Sequence, residues 1–151
     1  MLYDISLPLP SGWISEEDRY EEVDGADISH LECRRPAPDG KSNDILIDIY
    51  AGDMPADTTA EDEAYANYAE IIGWDEDEDD EDTIAEWKFQ RKTAYGFSGE
   101  CEDGSIMLLM CVEIIKGALL IISIVAPDDE AVGNWAKYIE ENIKVRSVKA
   151  Q

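Results

Sequence analysis

Basic side chains are scarce in this chain: 12 Lys and Arg stand against 36 Asp and Glu, for a formal charge of −24 and a pI near 4.1. Each phosphate contact to a nucleic acid wants a Lys or Arg to displace counterions, and an anionic bilayer repels a surface of this sign. Nucleic acid and anionic membrane are therefore excluded, whereas a basic or amphipathic protein suits the charge. Cysteine is sparse too. Cys33, Cys101 and Cys111 are odd in number and spaced for neither a disulfide framework nor a zinc site, as expected of buried or idle thiols in a reducing compartment. No glycine-rich phosphate loop occurs. The opening Met1–Ser6 lacks a basic n-region and an unbroken apolar stretch, so the expectation is no secretory signal and a cytoplasmic location.

What is present is enough for one core. The 151 residues are one domain's worth of chain, 1–151, and 44% of them are apolar. The longest apolar stretch, Ile106–Ala126, could span a bilayer by length. Glu113 and Lys116 oppose that, each costing roughly 2.5–3.5 kcal/mol on insertion scales. Lys116-Gly117 instead divides the stretch into two runs rich in Ile, Leu and Val, the chemistry of paired strands joined by a tight turn. Both alternating faces of these strands are apolar, which predicts central strands covered on both sides.

Alternation places further strands at Tyr3–Leu7, Ile28–Arg35 and Asp44–Tyr50, the last two forming a hairpin across Pro36–Gly40. Ser11-Gly12 makes a turn before Trp13 and Ile14. A weaker strand is expected at Tyr20–Val23, and two more at Thr83–Thr93 and Tyr95–Glu102. Helical spacing runs over Thr58–Ile72, with Ala64, Tyr65, Tyr68, Ile71 and Ile72 as its stripe, a capping box at Thr58 and Glu61, and Gly73 as its stop. A second helix is expected over Pro127–Val145, with Val132, Trp135, Ala136, Ile139 and Ile143 inward, acids at its start, and Lys137, Lys144 and Arg146 in its later turns. The sum is an α+β fold: an antiparallel sheet of five to seven strands with two main helices packed on it.

Three parts of this layout resemble the PsbP-like superfamily: Leu7-Pro8-Leu9-Pro10-Ser11-Gly12-Trp13, the helix Thr58–Gly73, and the passage Gly117–Pro127. The resemblance implies an α/β/α sandwich. That group holds photosystem II extrinsic proteins, a Ran-binding import factor and DcrB-like chaperones, so it also implies a binding or chaperone role. It carries over no functional residue. The extreme charge departs from the pattern and points to a diverged bacterial branch.

The conspicuous local feature is a run of eight acids, Asp75, Glu76, Asp77, Glu78, Asp79, Asp80, Glu81 and Asp82, preceded by Trp74. Like charges repel, so the run reads as an extended solvated loop. Read functionally, it is a docking strip for a basic partner, with attraction that speeds encounter and fades with salt. Counted as a calcium loop from Asp75, it supplies Asp77, Asp79 and Glu86. Asp80 replaces the required glycine, however, and a strand follows, so only weak nonspecific uptake is expected. No catalytic residue, metal site or cofactor is assigned. His30 is the one histidine, and Cys33, three residues on, faces the other way on a strand. Trp13, Trp87 and Trp135 are read as core, and Trp74 as a candidate contact. The leading expectation is a non-enzymatic binding module; a carboxylate-based hydrolase and an acidic immunity-type inhibitor of a basic toxin stay open.

Overall fold

A computed structural model describes residues 2–21, 27–39, 43–70 and 84–148. The elements run β1 (Leu2–Ser6), β2 (Ile14–Glu21), β3 (Asp27–Pro36), β4 (Asn43–Asp53), α1 (Ala60–Tyr68), β5 (Ala85–Phe89), β6 (Lys92–Glu100), β7 (Ile106–Ile115), β8 (Ala118–Ala126), α2 (Asp129–Asn142) and β9 (Lys144–Val148). Seven strands make one antiparallel sheet in the order β2-β3-β4-β8-β7-β6-β5, and β1 pairs with β9 as a separate ribbon. The fold is α+β and mostly strand. No helix among the described residues is long and apolar enough to cross a membrane.

The apolar stretch folds as a hairpin. Gly117 takes φ 84° at the turn, and β7 and β8 occupy the middle of the sheet. Their two faces belong to two different cores. Met110, Val112, Leu120, Ile122 and Ile124 pack with Val132, Ile139 and Ile143 at α2. Leu109, Cys111 and Leu119 point the other way, onto Phe97 of β6 and Ala60 and Ala64 of α1. The two helices therefore lie on opposite faces, which is why neither strand could keep a polar side. On the α2 face the β1/β9 ribbon extends the cover. Tyr3, Ile5 and Leu7 join Leu31, Cys33, Ile45, Ile47 and Ile49 in the first core. The Tyr3 hydroxyl donates to Asp53 at 2.7 Å; burial first, then that bond and the Asp53 charge, push its pKa up to about 12.

Several boundaries differ from expectation. The capping box sits one residue later, at Thr59 and Asp62: the Thr59 side chain accepts from the Asp62 N–H at 3.2 Å, and Asp62 accepts from the Thr59 N–H at 3.0 Å. Thr58 is already engaged, because its hydroxyl donates to the Pro55 carbonyl at 3.0 Å. The expected end of that helix, Ile71, Ile72 and Gly73, lies outside the described residues. The last helix stops at Asn142, so Lys144 and Arg146 sit on β9 rather than in its later turns. Continuing the helical stripe would have turned Arg146 and Ser147 inward, whereas Ile143 and Val145 alternate and suit a strand. Gln90 takes over the helix end. Its side chain donates to the carbonyls of Glu140 at 2.8 Å and Ile143 at 3.1 Å.

The break between the two strands expected at Thr83–Thr93 and Tyr95–Glu102 comes earlier, at Gln90-Arg91, so Lys92 and Thr93 open the second strand. Gln90 and Arg91 both take positive φ, 48° and 71°, which closes β5 onto β6 in a two-residue turn. β2 begins at Ile14 rather than Tyr20, and all eight of its residues are exposed. Trp13 packs on Trp135 of α2 with ring centroids 4.4 Å apart, and Trp135 meets Tyr138 at 5.1 Å.

Candidate functional site

Trp74 and the run Asp75–Asp82 lie outside the described residues. Glu86, the third member of the calcium-loop reading, is exposed on β5, one residue into a strand.

The described residues assemble a different acidic surface. α1 covers β6 and β7. The same face of the sheet continues over β8, β4, β3 and β2, and cross-strand register fixes its occupants. Glu16 lies opposite Glu32 and Asp18 opposite His30 between β2 and β3. Glu32 in turn faces Asp48, and His30 faces Tyr50, between β3 and β4. Successive rows thus bring three acids together and then an acid, an imidazole and a phenol.

His30 is held from two sides. Its ring stacks on Tyr50 with centroids 4.3 Å apart and planes 4° from parallel, and its Nε2 lies 2.8 Å from Asp48 Oδ1. The His30 and Asp48 side chains are only 14% and 20% exposed, so the pair sits half out of water. Arg34 holds the neighbouring carboxylates, donating from Nη1 to Glu32 at 2.7 Å and from Nη2 to Glu16 at 3.3 Å. Those two hydrogen bonds, to Glu16 and then Glu32, raise the Arg34 pKa above its ordinary value. An open cleft of about 360 Å³, lined by Glu16, Glu17, Asp18, His30 and Glu32, leads to the group. The donor atoms of His30, Glu32 and Asp48 all lie within 4.8 Å of one another, a set able to hold a metal ion.

Cys33 takes no part. It lies on the opposite face of β3, fully buried in the α2-side core, as strand alternation requires of a residue three positions from His30. Burial, helped by the charges of Asp48 and Glu32, pushes its thiol up to about 12. Cys111 is equally buried and also pushed up to about 12, by burial and then the charge of Glu63. Neither thiol is available as a nucleophile at neutral pH. The chain matches no protein-family model, curated protein or solved structure.

A second cleft, of about 570 Å³, separates the β1/β9 ribbon from β2 and β3 and is lined by Asp4, Ser6, Ser15, Glu17, Lys144 and Arg146 among others. Its charges largely answer each other: Asp4 pairs with Arg19 at 2.8 Å and with Arg146 at 3.8 Å. The acidic face across β2, β3 and β4 is less balanced: among its described residues Glu16, Asp18, Glu32 and Asp48 stand beside one arginine, Arg34, which pairs with Glu16 and Glu32. Sequence reasoning placed His30 on a strand but missed its partners. Alternation puts Glu32 beside it; only the register of the β3/β4 hairpin reveals Asp48.

Proposed function

We propose that the protein is a non-enzymatic binding module that receives an extended, basic segment of a partner protein along β2. The observation that carries this reading is β2 itself: a sheet edge exposed along its whole length, acidic at Glu16, Glu17, Asp18 and Glu21, with Ile14 and Tyr20 left 41% and 42% exposed. An edge strand offers unpaired backbone groups to an incoming strand. Its side chains then decide which strand is admitted. Two copies of β2 would set mostly like charges against each other and repel, whereas a Lys- or Arg-bearing strand would find a carboxylate at four of the eight positions, with Arg19 the one cation, and an apolar contact near either end.

Two further points support the reading. A helix on each face of an antiparallel sheet accords with the α/β/α sandwich of the PsbP-like superfamily, most of whose members bind or chaperone other proteins. The strip Trp74–Asp82 adds charge of the same sign and suits the same partner. A basic toxin is one protein of that chemistry.

The test is fluorescence anisotropy with a labelled peptide alternating Lys and Val. It is run at low and moderate salt against the wild type, Glu16→Lys/Asp18→Lys, and a variant with residues 75–82 changed to Asn and Gln. The reading expects saturable binding that fades with salt and is lost in the double variant. Full binding by the double variant, with loss only when residues 75–82 are neutralised, would move the docking site from β2 to the acid run.

A further inference from the structure

The peptide-binding reading uses the outer edge of β2 and leaves the inner group unexplained. His30, Glu32 and Asp48 are half-buried and come from two adjacent strands inside the sheet rather than from its rim. A solvated acidic face has no need to stack its only imidazole and aim it at a carboxylate.

We propose that His30, Glu32 and Asp48 bind one divalent first-row transition ion, with zinc-like preference for a mixed nitrogen and oxygen donor set. Two donors on one ion at about 2.1 Å lie about 3.0 Å apart at a right angle and about 3.4 Å apart at the tetrahedral angle. The 2.8 Å between His30 Nε2 and Asp48 Oδ1 is already near that spacing, and the 4.8 Å envelope of the three donors closes by rotation of the Glu32 side chain. The ion takes the place of the proton on Nε2: a neutral imidazole keeps its one N–H at Nδ1, and an imidazolium releases one proton to solvent. Imidazole nitrogen disfavours Ca²⁺ and Mg²⁺, which take oxygen, and so separates this site from the acidic surface at large.

The surroundings fit a metal centre's outer shell. Tyr50 fixes the plane of the imidazole, and Arg34 occupies Oε1 of Glu32 while leaving Oε2 for the ion. Asp18 and Glu16 lie across from His30 and Glu32 on β2 and deepen the negative potential at the mouth of the cleft. Three protein ligands leave further positions to water. The ladder between β3 and β4 fixes the backbone under the three ligands, so they converge without any chain movement.

The experiment is isothermal titration of the whole chain, in a Cys101→Ser background, with Zn²⁺ alone and again in large excess Mg²⁺ and Ca²⁺. The proposal expects one Zn²⁺ per chain at a site that survives the excess. It expects that site to weaken by more than about tenfold in His30→Ala and in Asp48→Asn, and to persist when residues 75–82 are neutralised. Because the chain has one histidine, the imidazole NMR signals of the wild type report the site directly, whatever the variants do to folding. They should shift and saturate within one equivalent of Zn²⁺. Unmoved imidazole signals, or undiminished Zn²⁺ binding by a folded His30→Ala, would overturn the proposal. Neither result depends on whether the basic peptide binds.

Discussion

Raising the pH from about 8 to about 10.5 should remove about 4 kcal/mol of folding stability through two buried thiols. Cys33 and Cys111 are fully buried, and burial lifts each from an ordinary value of 9.0 to about 12. In the unfolded chain both ionise near the ordinary value; in the folded protein both keep their protons. A pKa raised by folding contributes stability that is complete below the unfolded pKa and is lost as pH climbs towards the folded one. Each thiol then removes about 1.4 kcal/mol per pH unit. By pH 10.5 the loss is about 2 kcal/mol per thiol, and the raised Tyr3 phenol adds about 1 kcal/mol of the same sign. Against a total of about 5–15 kcal/mol this is a large fraction. Urea unfolding across that pH range, comparing the wild type with Cys33→Ala/Cys111→Ala, measures it. The variant should begin about 2 kcal/mol lower, from two small cavities, and lose stability far less steeply, so the two curves meet near about pH 10. An equally steep decline in the variant would refute the account.

Two further outcomes follow from the packing. A thiol reagent at neutral pH should modify Cys101, which is partly exposed, and reach Cys33 and Cys111 only after unfolding; three fast thiols in the native protein would contradict their burial. Gly96→Ala should cost about 3 kcal/mol in urea unfolding, because a Cβ there would lie 2.3 Å from the Leu109 carbonyl oxygen and 2.9 Å from the Met110 Cα, backbone that cannot yield without opening β6 from β7. Gly133→Ala, at an exposed position of α2, meets nothing within 4 Å and should instead gain up to about 1 kcal/mol. Equal effects at the two glycines would show that steric approach is not what distinguishes them.

Much of the fold was legible because apolar pattern and turn chemistry agreed. Ile106–Ala126 showed a break at Lys116-Gly117 and two apolar faces, and those faces predicted central strands before any partner was known. Where one of the two signals was missing, the reading slipped. The break between β5 and β6 was placed near Ala94 rather than at Gln90-Arg91, because that pair lacks the glycine or asparagine that a turn with two positive φ angles ordinarily carries. β2 was placed late because every side chain on it is exposed, so no alternation marks it. The His30 group was hidden by a shift of register. The ladder pairs Pro36 with Asn43 but Arg34 with Leu46, an irregularity at Arg35/Pro36. Counting inward from Pro36 and Asn43 would set Glu32 against Ile47, on the wrong face, and the extra residue is what brings Asp48 to Glu32.

The strand order has a kinetic consequence. β2, β3 and β4 form one meander and β5 to β8 another, each built from hairpins between neighbours in sequence; the sheet becomes continuous only where β4 meets β8. That seam joins Leu46 to Val125 and Asp53 to Ala118, the most distant pairing in the seven-stranded sheet. Closing so long a loop has to precede the contacts that reward it. Each meander can form early on its own, and the speed of folding is set by how often the two find each other along β4 and β8.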